Sequence, residues 1–248
     1  MKRTVSKRQA VRQALLLVSL LLFPITLYYF SPALILQGGS EGIVTGSAIS
    51  FALMFLASLL VGRLWCGWAC PGGALGEVCT AVNPRAVKGR RLDWIKWAIW
   101  LPWISLLAFL VIRAGGYQRV DPLYMTAGGV SVVDAQGYIV YYGVVGLFFI
   151  LSVAVGRRAG CHTFCWMAPF MILGRKLRNV FAWPSLRLQS DPQRCSDCMT
   201  CTQNCAMSLD VNAMVKAGAM EHSECILCGK CVDGCPSKAI QYVFRAGK

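Results

Sequence analysis

The chain carries near its C-terminus two cysteine-rich runs, CSDCMTCTQNCAM at residues 195–207 and CILCGKCVDGCPS at residues 225–237. Both runs have the spacing Cys-x-x-Cys-x-x-Cys-x-x-x-Cys, which is typical of bacterial domains that hold two [4Fe–4S] clusters. Three thiolates on a short loop enclose three corners of a cube of iron and sulfur, and a distant fourth thiolate completes the ligand set. The runs therefore predict a C-terminal two-[4Fe–4S] ferredoxin-like α+β domain.

In this spacing the fourth cysteine of each run binds the cluster of the other run. The predicted ligands of one cluster are Cys195, Cys198, Cys201 and Cys235, and those of the other are Cys225, Cys228, Cys231 and Cys205. The alternative is zinc, which prefers separate Cys-x-x-Cys pairs. Cys205 is followed by Ala206 where the other run has a proline, and this difference predicts unequal shielding of the two clusters.

The sequence upstream of these runs is strongly apolar. Of the 248 residues, 56% are hydrophobic and 15% are charged, whereas a soluble domain carries about 25% charged residues. A helix that crosses a bilayer needs about 20 apolar residues, and four stretches qualify: 14–36, 43–64, 94–112 and 138–155. We therefore predict an α-helical membrane protein with a four-transmembrane-helix bundle made of two helical hairpins.

Changes in composition suggest three parts. Residues 1–169 are predicted to form the four-span membrane domain, and residues 191–248 the ferredoxin-like domain. Residues 170–190 mix apolar and basic side chains, which is typical of an amphipathic helix that lies in the membrane interface. The alternative for this segment is a plain linker.

The net charge of +14 raises the question of a nucleic-acid partner. The basic residues instead cluster at alternate ends of the apolar spans, as the positive-inside rule requires. They are Lys2, Arg3, Lys7, Arg8, Arg12, Arg85, Lys88, Arg90, Arg91, Arg157, Arg158, Arg175, Lys176 and Arg178. We therefore expect a lipid bilayer and no nucleic acid as partner. The expected location is the bacterial or archaeal inner (cytoplasmic) membrane, multi-pass, with both termini in the reducing cytoplasm.

Four more cysteines lie at the predicted cytoplasmic ends of the helical hairpins, and we call them the membrane-edge cysteines. A repeated Gly-Arg pair followed by Cys-x-x-x-Cys makes Cys66 and Cys70 correspond to Cys161 and Cys165. Cysteines four apart on a helix share one face, so these pairs predict a further redox or metal centre. The alternative is four buried cysteines that pack as small apolar side chains. His162 is a candidate ligand, proton-transfer group or structural side chain.

Histidine is scarce, with two residues in the chain. A bis-histidine haem needs ligands on facing helices at membrane depth, so no haem is expected. Without an internal cofactor, a bilayer core of about 30 Å is too wide for direct electron transfer. If a quinol reacts here, its headgroup is expected near Cys66 and Cys161. The alternative is an outer site near Asp121 and Tyr124.

The apolar spans, the motif CGWACPGG at residues 66–73, the second Cys-x-x-x-Cys and the terminal two-cluster domain together resemble the NapH/MauN-type membrane polyferredoxins. The resemblance covers nearly the whole chain. It implies a membrane component of a quinol dehydrogenase that supplies periplasmic reductases, or a relative that acts in the maturation of respiratory complexes or cofactors. The chain departs from the family after Cys165, where three residues precede Pro169, and this weakens the equivalence of the two motifs.

The expected function is that of a membrane-anchored iron–sulfur electron-transfer subunit. It would pass electrons between the quinone pool (menaquinol or ubiquinol) or a cytosolic donor and a partner reductase. The sequence shows no phosphate-binding loop and no catalytic triad, which favours a component of a larger electron-transfer complex over a stand-alone catalyst. The alternatives are a maturation factor that delivers electrons or a metal to another redox enzyme, and a membrane-bound redox sensor.

Overall fold

The structure is a computed structural model that describes residues 6–87 and 92–247. Lys2, Arg3, Lys88, Arg90 and Arg91, which contributed to the predicted orientation, lie outside the described residues. The helices are α1 Lys7–Leu21, α2 Phe23–Thr26, α3 Pro32–Ser40, α4 Gly46–Val61, α5 Leu64–Trp68, α6 Pro71–Val78, α7 Ile95–Arg113, α8 Ala135–Ala154, α9 Ala159–Thr163, α10 Ala168–Val180, α11 Thr200–Gln203, α12 Val211–Lys216 and α13 Lys230–Asp233. The strands are β1 Ile43–Thr45, β2 Arg119–Asp121, β3 Ser185–Ser190 and β4 Ile240–Arg245.

The apolar helices support an association with the membrane. Within the described residues, α7 and α8 are each long and apolar enough to cross a bilayer, and both expose large apolar side chains such as Ile112 and Ile139. A third span results if α1 and the bent segment Phe23–Phe30 count as one, with an angle of 61° between them. Helix α4 is apolar but has 16 residues. The structure therefore supports two or three spans, and the four-span bundle stays a prediction.

The first apolar stretch is broken rather than continuous. Helix α1 ends at Leu21, and a short helix and a 3-10 turn follow before α3 begins at Pro32. The loop before α8 supplies hydrogen bonds to the backbone at this break. The amides of Ser131 and Val132 donate to the carbonyls of Ile25 and Pro24, both over 3.1 Å. Strand β1, between α3 and α4, pairs in parallel with β2, between α7 and α8. This pairing joins the connection of the first helix pair to that of the second.

Helix α10 packs along α4 and connects the membrane part to the ferredoxin-like domain. The rings of Phe170 and Phe51 are 5.3 Å apart, and a Cβ on Gly174 would overlap Ser58. Strand β3 follows and pairs antiparallel with β4 over six residues, from Ser185 opposite Arg245 to Ser190 opposite Ile240. This strand lies in the segment 170–190, for which the sequence predicts an interfacial amphipathic helix, so the ferredoxin-like sheet begins before residue 191.

Candidate iron–sulfur centres

The two ferredoxin runs have the same backbone conformation at equivalent positions. Left-handed φ angles recur at Asp197 and Leu227, at Met199 and Gly229, and at Ser208 and Lys238. The amides of Leu209 and Ala239 donate to Sγ of Cys205 and Cys235 over 3.4 and 3.3 Å. Turns of this kind direct successive amides and side chains toward a common centre. The sequence repeat is therefore also a structural repeat.

Each predicted set of four cysteines lines one cavity. Cys195, Cys198, Cys201 and Cys235 line one cavity, which we call the distal ferredoxin site. Cys205, Cys225, Cys228 and Cys231 line the other, which we call the proximal ferredoxin site. The fold thus brings the last cysteine of each run to the first three of the other. Four thiols around one cavity are the donor set that a [4Fe–4S] cluster requires, and ligation itself stays a prediction.

The two ferredoxin sites differ in their exposure. In the distal site Cys198 is exposed, whereas the four cysteines of the proximal site are buried or of intermediate exposure. Burial, assisted by the neighbouring Cys228, raises the pKa of the Cys205 thiol to about 12. The distal site therefore lies at the protein surface and the proximal site lies between the ferredoxin-like domain and the helices.

Side chains from the membrane part hold the loop of the proximal site. Trp68 Nε1 donates to the carbonyl of Leu227 over 3.1 Å, and Gln9 Nε2 donates to the carbonyl of Cys228 over 3.0 Å. A Cβ on Gly67 would overlap the carbonyl of Ile226, so only glycine permits this contact. The segment from Cys66 to Cys70, which includes the end of α5, consequently packs directly on the proximal site.

The membrane-edge cysteines form one buried group. Cys70, Cys161 and Cys165 line a common cavity, and Sγ of Cys66 lies 3.9 Å from Sδ of Met171. Burial raises the pKa of the Cys70 thiol, and the neighbouring thiols of Cys66, Cys165 and Cys161 raise it further because close thiolates repel one another. The structure therefore brings together all four residues that the sequence predicted for a further centre.

The two cysteines of each pair do not share one helical face, contrary to the expectation from their spacing. Helix α5 ends at Trp68 and α9 ends at Thr163, so Cys70 and Cys165 lie beyond the helices. Cys70 has an extended backbone, with φ −79° and ψ 123°, because a residue before proline disfavours the helical conformation. The thiols of each pair meet through a turn instead.

Two buried guanidinium groups flank the membrane-edge cysteines and provide a test of the predicted centre. Arg63 and Arg158 are 0% and 1% exposed, and Nη1 of Arg158 donates to the carbonyl of Cys66 over 2.8 Å. In the described part of the chain, Nε of both arginines and Nη2 of Arg63 have no hydrogen-bond partner. Although burial lowers the pKa of Arg158, Glu77 and Cys161 raise it overall. Buried cations need compensating anions, so these orphaned donors fit an anionic four-thiolate centre.

Glu77 is a site residue that the sequence reasoning did not identify. It forms ion pairs with Arg12, with Nη2 of Arg158 at 2.8 Å and with Nζ of Lys230 at 2.7 Å. Burial alone would raise its pKa, but the hydrogen bond from Arg12 and the nearby cations lower it well below the usual range. Its cationic partners come from distant segments and leave no local pattern. One sequence feature could have pointed to Glu77: no other acidic residue occurs between residues 42 and 92.

A second group of possible metal donors lies beside His162. Asp93, His162 and Glu224 place one donor atom each within 4.8 Å of one another, and His162 Nδ1 lies 2.7 Å from Asp93 Oδ1. Glu224 is already paired, with Lys96 Nζ and Arg63 Nη1 each at 2.7 Å. A metal cation here would face two buried positive charges. We therefore assign the group as an ion-pair network with His162 as a hydrogen-bonded member.

An apolar cavity of about 290 Å³ adjoins the membrane-edge cysteines. Its size is close to the lower end of the range for small-molecule sites, which begins at about 300 Å³. The lining comes from the broken first span, from α8 and from the cysteine loops, and includes Leu20, Phe23, Tyr28, Val144, Phe148, Cys70, Cys161 and Cys165. The cavity could therefore hold an apolar molecule in contact with three of the four membrane-edge cysteines.

Comparison with known proteins supports the iron–sulfur assignment. A family model described as a 4Fe-4S binding domain matches residues 44–86, which include Cys66 and Cys70. A second family model, described as a 4Fe-4S dicluster domain, matches residues 194–240. No solved structure matches the chain.

The chain is also similar to curated proteins over most of its length. It is 27% identical to the methylamine utilization ferredoxin-type protein MauN of Paracoccus denitrificans, over 81% of this chain and 68% of MauN. It is 24% identical to the putative electron transport protein YccM of Escherichia coli, over 78% of this chain and 54% of YccM. The uncharacterized protein MJ0749 of Methanocaldococcus jannaschii is 23% identical over 80% of this chain and 72% of its own length. These matches confirm the resemblance to membrane polyferredoxins and the prediction of a membrane-anchored iron–sulfur electron-transfer protein.

Proposed function

We propose that this chain is a multi-pass subunit of the bacterial or archaeal cytoplasmic membrane that passes electrons between a quinol, menaquinol or ubiquinol, and a partner redox protein. In this proposal α4, α7, α8 and the broken first span form a four-span bundle, with both termini and the ferredoxin-like domain on the cytoplasmic side. The eight ferredoxin cysteines would hold two [4Fe–4S] clusters and the membrane-edge cysteines a third redox centre.

The observation that carries this proposal is that the apolar cavity, the membrane-edge cysteines and the proximal ferredoxin site adjoin one another. The apolar cavity contacts Cys70, Cys161 and Cys165. The segment from Cys66 to Cys70 also contacts the proximal ferredoxin site, because a Cβ on Gly67 would lie 3.4 Å from the backbone of Cys228. Iron–sulfur centres, when bound, supply one-electron carriers at such positions. In the proposed function, these contacts would give electrons a short route from a lipid-soluble donor to the proximal ferredoxin site.

The residues around this route contribute binding and electrostatics. The apolar lining of the cavity favours a quinol ring and its isoprenoid tail over a polar substrate. Arg63 and Arg158, buried beside the membrane-edge cysteines, would compensate the negative charge of four thiolates. The distal ferredoxin site, with its exposed Cys198, would exchange electrons with the partner.

Iron quantitation on anaerobically purified protein tests the third centre. Two [4Fe–4S] clusters account for about eight irons per chain. We expect wild-type protein to contain more, and Cys66→Ala with Cys161→Ala to lose the excess while keeping the ferredoxin clusters. Cys79→Ala is the matched control, because Cys79 is equally buried but lies outside the group. Equal iron content in all three proteins would remove the third centre from the proposal.

Reduction by quinol tests the donor. A short-chain menaquinol or ubiquinol analogue should bleach the visible absorption of the clusters in wild-type protein and not in the Cys66→Ala, Cys161→Ala protein. Dithionite should bleach the ferredoxin clusters in both. If dithionite alone is effective in the wild type, quinol is not the donor.

A maturation factor that delivers a metal or electrons to another redox enzyme is the second candidate. The observation that favours it is the thioether of Met171, 3.9 Å from Cys66 Sγ, because thiolate and thioether ligands together select soft metals. This function would leave the clusters unresponsive to quinol, and loss of the chain would leave a separate enzyme without its cofactor.

A further inference from the structure

Three arginines share one carboxylate near the C-terminal end of α10. Glu221 lies 2.5 Å from Nε of Arg175, 3.7 Å from Nη2 of Arg178 and 3.9 Å from Nη1 of Arg187. The three arginine side chains are 3%, 0% and 10% exposed, whereas that of Glu221 is 39% exposed. The group is therefore a buried cluster with an excess of positive charge.

Arg178 is the most deeply buried arginine of this cluster, and its charge has little compensation. Its Nη1 donates to the carbonyl of Leu186 over 3.1 Å, whereas Nε and Nη2 have no hydrogen-bond partner among residues 6–87 and 92–247. Burial, together with repulsion from Arg175 and Arg187, lowers its pKa to about 10. The guanidinium is consequently still charged at neutral pH, and it is too deeply buried for a lipid headgroup or a solvent anion to reach it.

The proximal ferredoxin site lies next to this cluster. Arg175 Nη1 donates to the carbonyl of Cys225 over 2.9 Å, and Arg175 opposes the effect of burial on the Cys225 thiol by lowering its pKa. A Cβ on Gly62 would lie 3.3 Å from Arg178 Nη1 and 3.4 Å from Leu227 Cδ1, so the guanidinium and the cysteine loop meet at this glycine. An anionic centre at the proximal site would thus lie beside this excess positive charge.

We propose that Arg175 and Arg178 are positioning residues that raise the reduction potential of the cluster at the proximal ferredoxin site. Reduction adds one electron to an already anionic centre, and fixed positive charge nearby stabilises the reduced form. Net charge and local hydrogen bonds are among the properties that set the potentials of protein-bound clusters. This inference rests on the proposed ferredoxin clusters but is independent of the quinol and of the third centre.

The test is a redox titration of the full-length protein in detergent, followed by EPR, with dithionite as reductant. Arg178→Met removes the charge and should lower the potential of one ferredoxin cluster while the other keeps its wild-type value. We expect at least a tenfold change in the ratio of oxidised to reduced cluster at a fixed potential, which is about 59 mV for one electron. Arg178→Lys keeps the charge and should remain close to wild type.

A second variant should shift the reduction potential in the opposite direction, and it replaces a side chain that is not buried. Glu221→Gln removes the shared carboxylate at a half-exposed position, so it should raise the same potential even if Arg178→Met fails to assemble. Arg194→Met is the control and should leave the potential of the proximal cluster unchanged, because Arg194 is 67% exposed and lies beside the distal ferredoxin site. Unchanged potentials in iron-loaded Glu221→Gln protein, or equal shifts for Arg178→Met and Arg178→Lys, would overturn the inference. A wild-type protein without iron would instead overturn the proposed function.

Discussion

Gly67 sets how closely the ferredoxin-like domain approaches the membrane-edge cysteines, because a Cβ at this position would overlap the carbonyl of Ile226. We predict that Gly67→Ala destabilises the docked domain by about 1–3 kcal/mol, the usual cost of overpacking. The loss should appear as a lower apparent Tm in detergent. Gly143→Ala is the control, since a Cβ there meets nothing within 4 Å. Equal Tm values for the two variants would contradict this role of Gly67.

Glu224 holds two buried cations, Lys96 and Arg63, at 2.7 Å each. Glu224→Gln leaves Arg63 without a carboxylate partner and Lys96 with only Asp93 at 3.6 Å. We therefore predict a loss of about 3–5 kcal/mol, as for other broken buried pairs. Thermal unfolding followed by circular dichroism measures this loss. Asp210→Asn provides a control at an exposed carboxylate of the same domain.

The same carboxylate predicts a pH dependence. Burial alone would raise the pKa of Glu224, but Arg63 and Lys96 lower it from 4.5 to about 2. A carboxyl group with a lowered pKa stabilises the folded state above pH 4.5 and loses this contribution as the pH falls toward 2. Between these values, wild-type stability should therefore decrease more steeply than that of Glu224→Gln. Parallel curves would show that Glu224 is not the group that titrates.

At the scale of elements, the sequence predicts which stretches are apolar but not where a span breaks. Pro24 and Pro32 lie in the first stretch, where proline interrupts a helix, and the structure begins new helices there. The bend is stabilised by the amides of Ser131 and Val132, which are more than 100 residues away in sequence. Local periodicity carries no information on such distant partners, so the break was predictable and its support was not.

For helix α10 too, the sequence predicts the helix but not its packing partner, and this contact allows a further prediction. Its apolar and basic composition indicated an amphipathic helix, but only the structure places Gly174 against Ser58 of α4. Gly174→Leu should separate the two helices and loosen the connection to β3, which begins at Ser185. We expect faster cleavage by chymotrypsin after the exposed Phe181. Gly146→Leu adds the same side chain where a Cβ meets nothing within 4 Å, and it should leave the cleavage rate unchanged.

At the scale of the whole molecule, predictability follows the sequence separation of the partners. The eight ferredoxin cysteines lie in two short runs with one spacing, so their grouping could be predicted, and each set lines one cavity. The four membrane-edge cysteines could be paired through a repeat. Their compensating charges could not, because Glu77 joins Arg12, Arg158 and Lys230 from three separate segments. The candidate ligands can therefore be predicted from the sequence, whereas their electrostatic environment depends on the assembled fold.

The apolar cavity gives the prediction that joins these parts, because it is the proposed point of entry for electrons. Val144 lines it from α8, so Val144→Trp should fill part of its 290 Å³ without replacing any cysteine. We predict that cluster reduction by a quinol analogue becomes at least tenfold slower, a barrier increase of about 1.4 kcal/mol, while reduction by dithionite is unchanged. Ile150→Trp is the control, because Ile150 on the same helix is 64% exposed and does not line the cavity. An unchanged quinol rate in Val144→Trp would place the donor outside this cavity.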